Sequence, residues 1–139
     1  MDLDGDGHRD VISGSWPGAL YLFRGGADKT FAKAVKLQDK NGAELMVGKA
    51  SVVFATDWDK DQDLDLVVGC IDGYVWFVPN ESGSKELKFG EAVKLESADG
   101  TIHEHHSAPV VADWDGNGTL DLICLLYTYP SPRDLGSNL

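Results

Sequence analysis

The sequence predicts an all-β chain: an incomplete β-propeller of two four-stranded blades and the start of a third. Three observations predict it. An Asp-rich nonapeptide occurs three times, at spacings of 55 and 56 residues. Short β-branched and aromatic runs, separated by turn signals, fill the intervals. No stretch of twelve residues carries the 3.6-residue apolar period of an amphipathic helix.

The first unit, residues 1–56, opens on Asp2-Leu3-Asp4-Gly5-Asp6-Gly7-His8-Arg9-Asp10. Val11-Ile-Ser-Gly14 and Ala19–Phe23 then read as strands, Gly25-Gly26 as a turn, and Phe31–Leu37 as a further extended run. The second unit, residues 57–112, opens on Asp57-Trp58-Asp59-Lys60-Asp61-Gln62-Asp63-Leu64-Asp65. Its strand candidates are Leu64–Gly69, Tyr74–Val78 and Ala92–Leu95, with Ser51–Ala55 just ahead of the loop and turns at Asp72-Gly73 and Asp99-Gly100. β-Branched and aromatic residues suit a pleated, half-buried surface, which is why these runs are read as strands. The similarity between units extends beyond the loops. Phe31-Ala-Lys-Ala-Val-Lys-Leu37 matches Phe89-Gly-Glu-Ala-Val-Lys-Leu95 at five of seven positions. About four short strands per 55 residues is the content of one propeller blade.

The third unit, residues 113–123, opens on Asp113-Trp114-Asp115-Gly116-Asn117-Gly118-Thr119-Leu120-Asp121. The strand after each earlier loop ends on glycine, at Gly14 and Gly69, whereas the third runs on through Cys124-Leu125-Leu126-Tyr127 without one. Residues 124–139 resemble the translation of a transposase-type library adapter. They are expected to be a non-native tail, and Met1 is expected to be a cut end.

The loops carry the chemistry. Each places side-chain oxygens at its first, third, fifth and ninth positions. These are Asp2, Asp4, Asp6 and Asp10; Asp57, Asp59, Asp61 and Asp65; and Asp113, Asp115, Asn117 and Asp121. Ca²⁺ takes six to eight oxygens, and carboxylates at alternating positions of a tight loop supply them. The absence of Cys or His from those positions favours Ca²⁺ over zinc or copper. The seventh position can add its carbonyl. An EF-hand is excluded, because it needs Glu at position 12 and flanking helices. Position 12 here is Ser13, Val68 or Cys124, and the flanks are strands.

With the apolar run before each later loop (Ser51–Thr56, Ala108–Ala112) and the Asp-Leu-Val or Asp-Leu-Ile step after it, these windows resemble FG-GAP/VCBS repeats, the calcium-binding blades also found in integrin α-subunit propellers. The resemblance covers about residues 1–123. It implies a propeller with Ca²⁺ on loops at one rim, side-chain ligation from positions 1, 3, 5 and 9, and carbonyl ligation from His8, Asp63 and Thr119. It also implies an extracellular, periplasmic or cell-surface protein. The second loop departs from the pattern, with Lys60 and Gln62 in place of both glycines; strain at Gln62 and a cation close to the ion are expected there.

The formal charge of −11 argues against nucleic acid and anionic membrane as partners. Twelve of the 23 acidic residues lie in the three windows, a density that costs repulsion unless cations occupy them. No apolar run is long enough to insert into a membrane. Cys70 and Cys124 form no metal-type spacing.

His103-Glu104-His105-His106 reads as a polar inter-strand loop, since its spacing is not that of a helical zinc motif. Trp16, Trp58, Trp76 and Trp114 are read as packing between neighbouring blades, with a ligand platform as the other reading. No nucleophile–base pair or phosphate loop stands apart from the acidic windows, so no enzyme activity is expected of this chain. The expected function is that of a binding scaffold with structural Ca²⁺, recognising a protein or carbohydrate ligand and packing against further blades of the same chain. The alternative is a propeller module or catalytic platform of a secreted enzyme, such as a polysaccharide-degrading one.

Overall fold

A computed structural model describes residues 1–82, 87–102 and 106–126. Every regular element among them is a strand. These are β1 (Val11–Ser13), β2 (Tyr21–Phe23), β3 (Val35–Lys36), β4 (Val52–Thr56), β5 (Asp65–Gly69), β6 (Val75–Val78), β7 (Val93–Lys94), β8 (Glu96–Ser97), β9 (Gly100–Thr101), β10 (Ser107–Ala112) and β11 (Asp121–Leu126). They form antiparallel sheets in the orders β1-β2-β3, β4-β5-β6-β7 and β10-β11, with β8-β9 as a separate short hairpin. The all-β, incomplete-propeller reading holds. The sequential up-and-down order within each sheet is that of a propeller blade.

The sheets are offset from the repeat units. β4 pairs with β5 from Val52↔Gly69 to Thr56↔Asp65, and β10 pairs with β11 from Ser107↔Leu126 to Ala112↔Asp121. The second and third acidic windows are therefore each the connection of a hairpin, and the strand leading into each belongs to the sheet that follows. Residues 52–56 and 107–112, counted with units 1–56 and 57–112 by the repeat, are hydrogen-bonded into the second and third sheets. The first sheet has three strands, with no counterpart of β4 among the described residues. β11 continues through Cys124, Leu125 and Leu126, three residues into the segment expected to be foreign, because apolar residues there extend the ladder to β10. Residues 127–139 lie outside the described residues.

Strand alternation divides the core in two, since successive side chains leave a strand on opposite faces. Leu66, Val68 and Val78 of the second sheet pack with Leu3, Leu20 and Leu22 of the first unit. Val67 and Val75 project from the other face and pack with Val111, flanked by Phe54, Trp58 and Leu122. β5 is buried along its whole length, as expected of a strand covered on both faces.

The glycines that end β1 and β5 have a steric cause. A Cβ on Gly14 would stand 2.0 Å from the Ser51 carbonyl oxygen, and one on Gly69 would stand 2.2 Å from that of Ser107. At both places the chain entering the next sheet crosses directly over the strand end. The crossings share a hydrogen bond, from Ser15 N–H to Ser51 Oγ at 3.2 Å and from Cys70 N–H to Ser107 Oγ at 3.0 Å.

Candidate metal centre

The three acidic loops are built alike. Asx-type hydrogen bonds, in which a short carboxylate or amide accepts from backbone N–H groups just ahead of it, hold a loop in a tight curl. In the first loop Asp6 N–H donates to Asp2 Oδ1 at 3.1 Å, Gly7 N–H to Asp2 Oδ2 at 2.9 Å, and His8 N–H to Asp6 Oδ1 at 2.7 Å. The third loop repeats this: Asn117 N–H to Asp113 Oδ1 at 3.0 Å, Gly118 N–H to Asp113 Oδ2 at 3.0 Å, and Thr119 N–H to Asn117 Oδ1 at 2.7 Å. The curl passes twice through positive φ, at Gly5 (+68°) and Gly7 (+91°), and again at Gly116 (+73°) and Gly118 (+87°).

The second loop keeps that backbone path without glycine. Gln62 sits at φ +79°, the expected strain, and Lys60 sits at +65°. For a residue with a Cβ the left-handed conformation costs about 1–2 kcal/mol. One hydrogen bond is longer here and one is missing: Gln62 N–H reaches Asp57 Oδ2 at 3.2 Å, while Asp57 Oδ1 is buried with no hydrogen-bond donor.

The carboxylates converge. Oxygens of Asp2, Asp4 and Asp6 lie within 4.8 Å of one another, as do those of Asp57, Asp59 and Asp61, and those of Asp113, Asp115 and Asp121. Positions 1, 3 and 5 meet in the first two loops. In the third, Asp121 joins positions 1 and 3, and Asn117 completes the curl through the hydrogen bonds above.

Position 9 has a second task that spacing alone does not reveal. Asp10 is buried and accepts from Leu3 N–H at 2.8 Å and from Gly25 N–H at 2.9 Å, one on each oxygen. Asp65, fully buried, accepts in the same way from Trp58 N–H at 2.9 Å and Asn80 N–H at 2.8 Å. Each thereby staples its loop to a strand end 15 residues further on. Asp121 accepts from Trp114 N–H at 2.8 Å; the counterpart of Gly25 and Asn80, residue 136, lies outside the described residues. Burial pushes the Asp65 carboxyl above its ordinary range, the two N–H donors oppose this, and repulsion from Asp59 and Asp61 adds to it.

At position 7, His8, Asp63 and Thr119 each donate their N–H to the side chain at position 5, the second-loop bond running from Asp63 N–H to Asp61 Oδ1 at 2.9 Å. Two cationic partners were not marked by the repeat. Arg24 Nε lies 2.8 Å from Asp4 Oδ2, and Lys60 Nζ, expected beside its own loop's ion, instead reaches the Gly118 carbonyl.

The four tryptophans divide. Trp58 packs against Phe77, ring centroids 5.8 Å apart, in the core between the second and third sheets, and Trp76 lies against the first core. Trp16 and Trp114 are exposed. Of the histidine cluster, residues 103–105 lie outside the described residues.

The loops fit Ca²⁺ by their chemistry. Three oxygen donors converge in each, no sulfur or imidazole enters, and the buried Asp57 Oδ1 is an anionic oxygen left without a donor, which is costly unless a cation is present. A family model for FG-GAP-like repeats matches residues 2–68 and again 57–124. Each match begins on an acidic loop and ends on the strand after the next. No curated protein and no solved structure matches the chain.

Proposed function

The chain belongs to the FG-GAP-like repeat family, and from that membership we propose that it is a calcium-binding piece of a β-propeller that serves as a binding scaffold. The observation that carries the calcium reading is the convergence of carboxylate oxygens within 4.8 Å in all three loops. Asp2, Asp4 and Asp6 would hold the ion in the first loop, Asp57, Asp59 and Asp61 in the second, and Asp113, Asp115, Asn117 and Asp121 in the third. Asp10 and Asp65 contribute negative charge from beneath. The carbonyls of His8, Asp63 and Thr119 complete the proposed sets.

Calcium in these loops supplies charge neutralisation and rigidity. The chain's own residues do the rest: the Asx hydrogen bonds pre-shape the loop, and the position-9 carboxylates anchor it to the sheet. Loops of this kind in extracellular modules bind at about 10⁻⁴–10⁻³ M, which supports a secreted, periplasmic or cell-surface setting. The proposed partners are a protein or carbohydrate ligand and further blades of the same chain, with no catalytic role for this segment.

Isothermal titration of the chelator-stripped chain with CaCl₂ tests the reading. Heat should be released at oxygen-only sites, and Asp113→Ala with Asp115→Ala should remove one site while the others remain. No binding heat at millimolar calcium would overturn it.

A further inference from the structure

The second loop differs from the others in carrying side chains where they have glycine. Lys60 stands at the position of Gly5 and Gly116, in a backbone conformation that glycine adopts more cheaply. Its side chain leaves its own loop. Lys60 Nζ donates to the Gly118 carbonyl oxygen at 2.6 Å, across 58 residues of sequence. Gly118 is the corner of the third loop: its own N–H donates to Asp113 Oδ2, and the next N–H, of Thr119, donates to Asn117 Oδ1. The carbonyl that Lys60 holds therefore lies between two amides that orient two of the proposed ligands.

We propose that Lys60 is a positioning residue that couples the second loop to the third. An ion in the second loop steadies the Lys60 backbone, and its ammonium then holds the Gly118 corner in the shape that the third loop needs. The third loop consequently binds calcium more tightly when the second is filled. This rests on the calcium reading above. Two opposing effects have to be weighed. A cation near an ion site weakens binding, but Lys60 and the third loop are exposed, where water holds the interaction of two unit charges about 4 Å apart to about 1 kcal/mol and salt screens it further over about 8–10 Å. The hydrogen-bond restraint is short-ranged and less affected by screening, so positioning outweighs repulsion. Gly5 has no side chain to play this part from the first loop, where Arg24 binds Asp4 instead.

The test follows the Gly118 amide of the ¹⁵N-labelled chain by NMR during titration with CaCl₂. Lys60→Met should weaken the third loop's calcium affinity about five-fold, the low end of ordinary coupling between sites. Lys60→Arg, which retains a cationic donor, should restore most of it. Asp57→Asn with Asp59→Asn should lower third-loop affinity by a similar factor when Lys60 is present, and not further when it is Met. The Leu66 and Val67 amides report that each variant is folded, and Lys60→Gln replaces Lys60→Met if that variant is not. A Gly118 titration unchanged by Lys60→Met, or an equal loss from the Asp57/Asp59 change in both backgrounds, would overturn the coupling alone. A Gly118 amide that ignores calcium in the unaltered chain overturns the calcium reading, and the coupling with it.

Discussion

Gly69 meets the backbone of Ser107 so closely that a Cβ on the glycine would stand 2.2 Å from the serine carbonyl oxygen and 2.6 Å from Cδ of Pro109. The contact seals the second sheet to the third, where Ser107 Oγ also accepts the Cys70 N–H. Neither obstacle is the free end of a flexible side chain. Gly69→Ala should therefore destabilise the chain by about 1–3 kcal/mol through overpacking. Gly42→Ala, at φ +83° with open space around it, should cost only the backbone term of about 1–2 kcal/mol. Chemical denaturation of both variants checks the order, and a Gly69→Ala variant as stable as the parent would refute the contact.

Calcium should raise the stability of the folded chain. With free Ca²⁺ ten-fold above the Kd, one site adds about 1.4 kcal/mol, and independent sites add. Thermal melts with calcium and with EDTA read this directly. A melting temperature indifferent to EDTA would exclude a structural role for the ion.

Gln62→Gly should stabilise the second loop. Gln62 occupies φ +79°, where glycine has no Cβ penalty, and relief of about 1 kcal/mol is expected after allowing for the greater freedom of glycine when unfolded. The denaturation midpoint should rise, and second-loop calcium affinity should not fall. A lowered midpoint contradicts the strain assignment.

Asp65 should give the calcium-free chain an unusual pH dependence. Burial, with repulsion from Asp59 and Asp61, raises its carboxyl above 3.8 against the pull of the Asn80 and Trp58 N–H groups. Between 3.8 and the raised value the folded chain holds a proton that the unfolded chain has lost, so this group makes stability fall as pH rises through that window. The lowered carboxyls of Asp28 and Asp39 act below 3.8, where stability is instead lost as pH falls. Calcium bound in the second loop would favour the ionised Asp65 and should flatten this slope. Melts across pH 4–7 with EDTA and with calcium, compared with Asp65→Asn, isolate the effect. An EDTA curve parallel to that of Asp65→Asn would count against it.

The chain should self-associate when made alone. Trp58 is half-buried under the third sheet, whereas its counterpart Trp114 is 76% exposed; Val67 is fully buried, whereas its counterpart Ile123 is 38% exposed. Val110 and Leu125 share that outer face of the third sheet and are exposed with it. Repeat units bury such faces against one another, so this apolar surface can pair with a second copy of the chain. Sedimentation velocity at increasing concentration should show species larger than monomer, and Val110→Lys with Leu125→Lys should reduce them. A single monomer boundary at all concentrations would rule this out.

The sequence by itself determined whatever depends on local order. The nine-residue spacing placed Asp2, Asp4 and Asp6 and their counterparts on one tight curl, because a loop of that length brings alternate side chains together. The β-branched and aromatic runs located β5, β6 and β7 within a residue or two. The strain at Gln62 followed from the two glycines it lacks.

Only the tertiary structure decided what depends on residues distant in the chain. The pairing of β4 with β5 moved the sheet boundary ahead of the second loop, since a hairpin joins what a repeat period divides. Gly14 and Gly69 showed their reason only when Ser51 and Ser107 came to lie across them. Asp10 and Asp65 became anchors because Gly25 and Asn80 present their N–H groups from another strand. Lys60 found its acceptor at Gly118 by reaching into the neighbouring sheet's loop. Spacing records neighbours along the chain, whereas these contacts arise from the stacking of one sheet on the next.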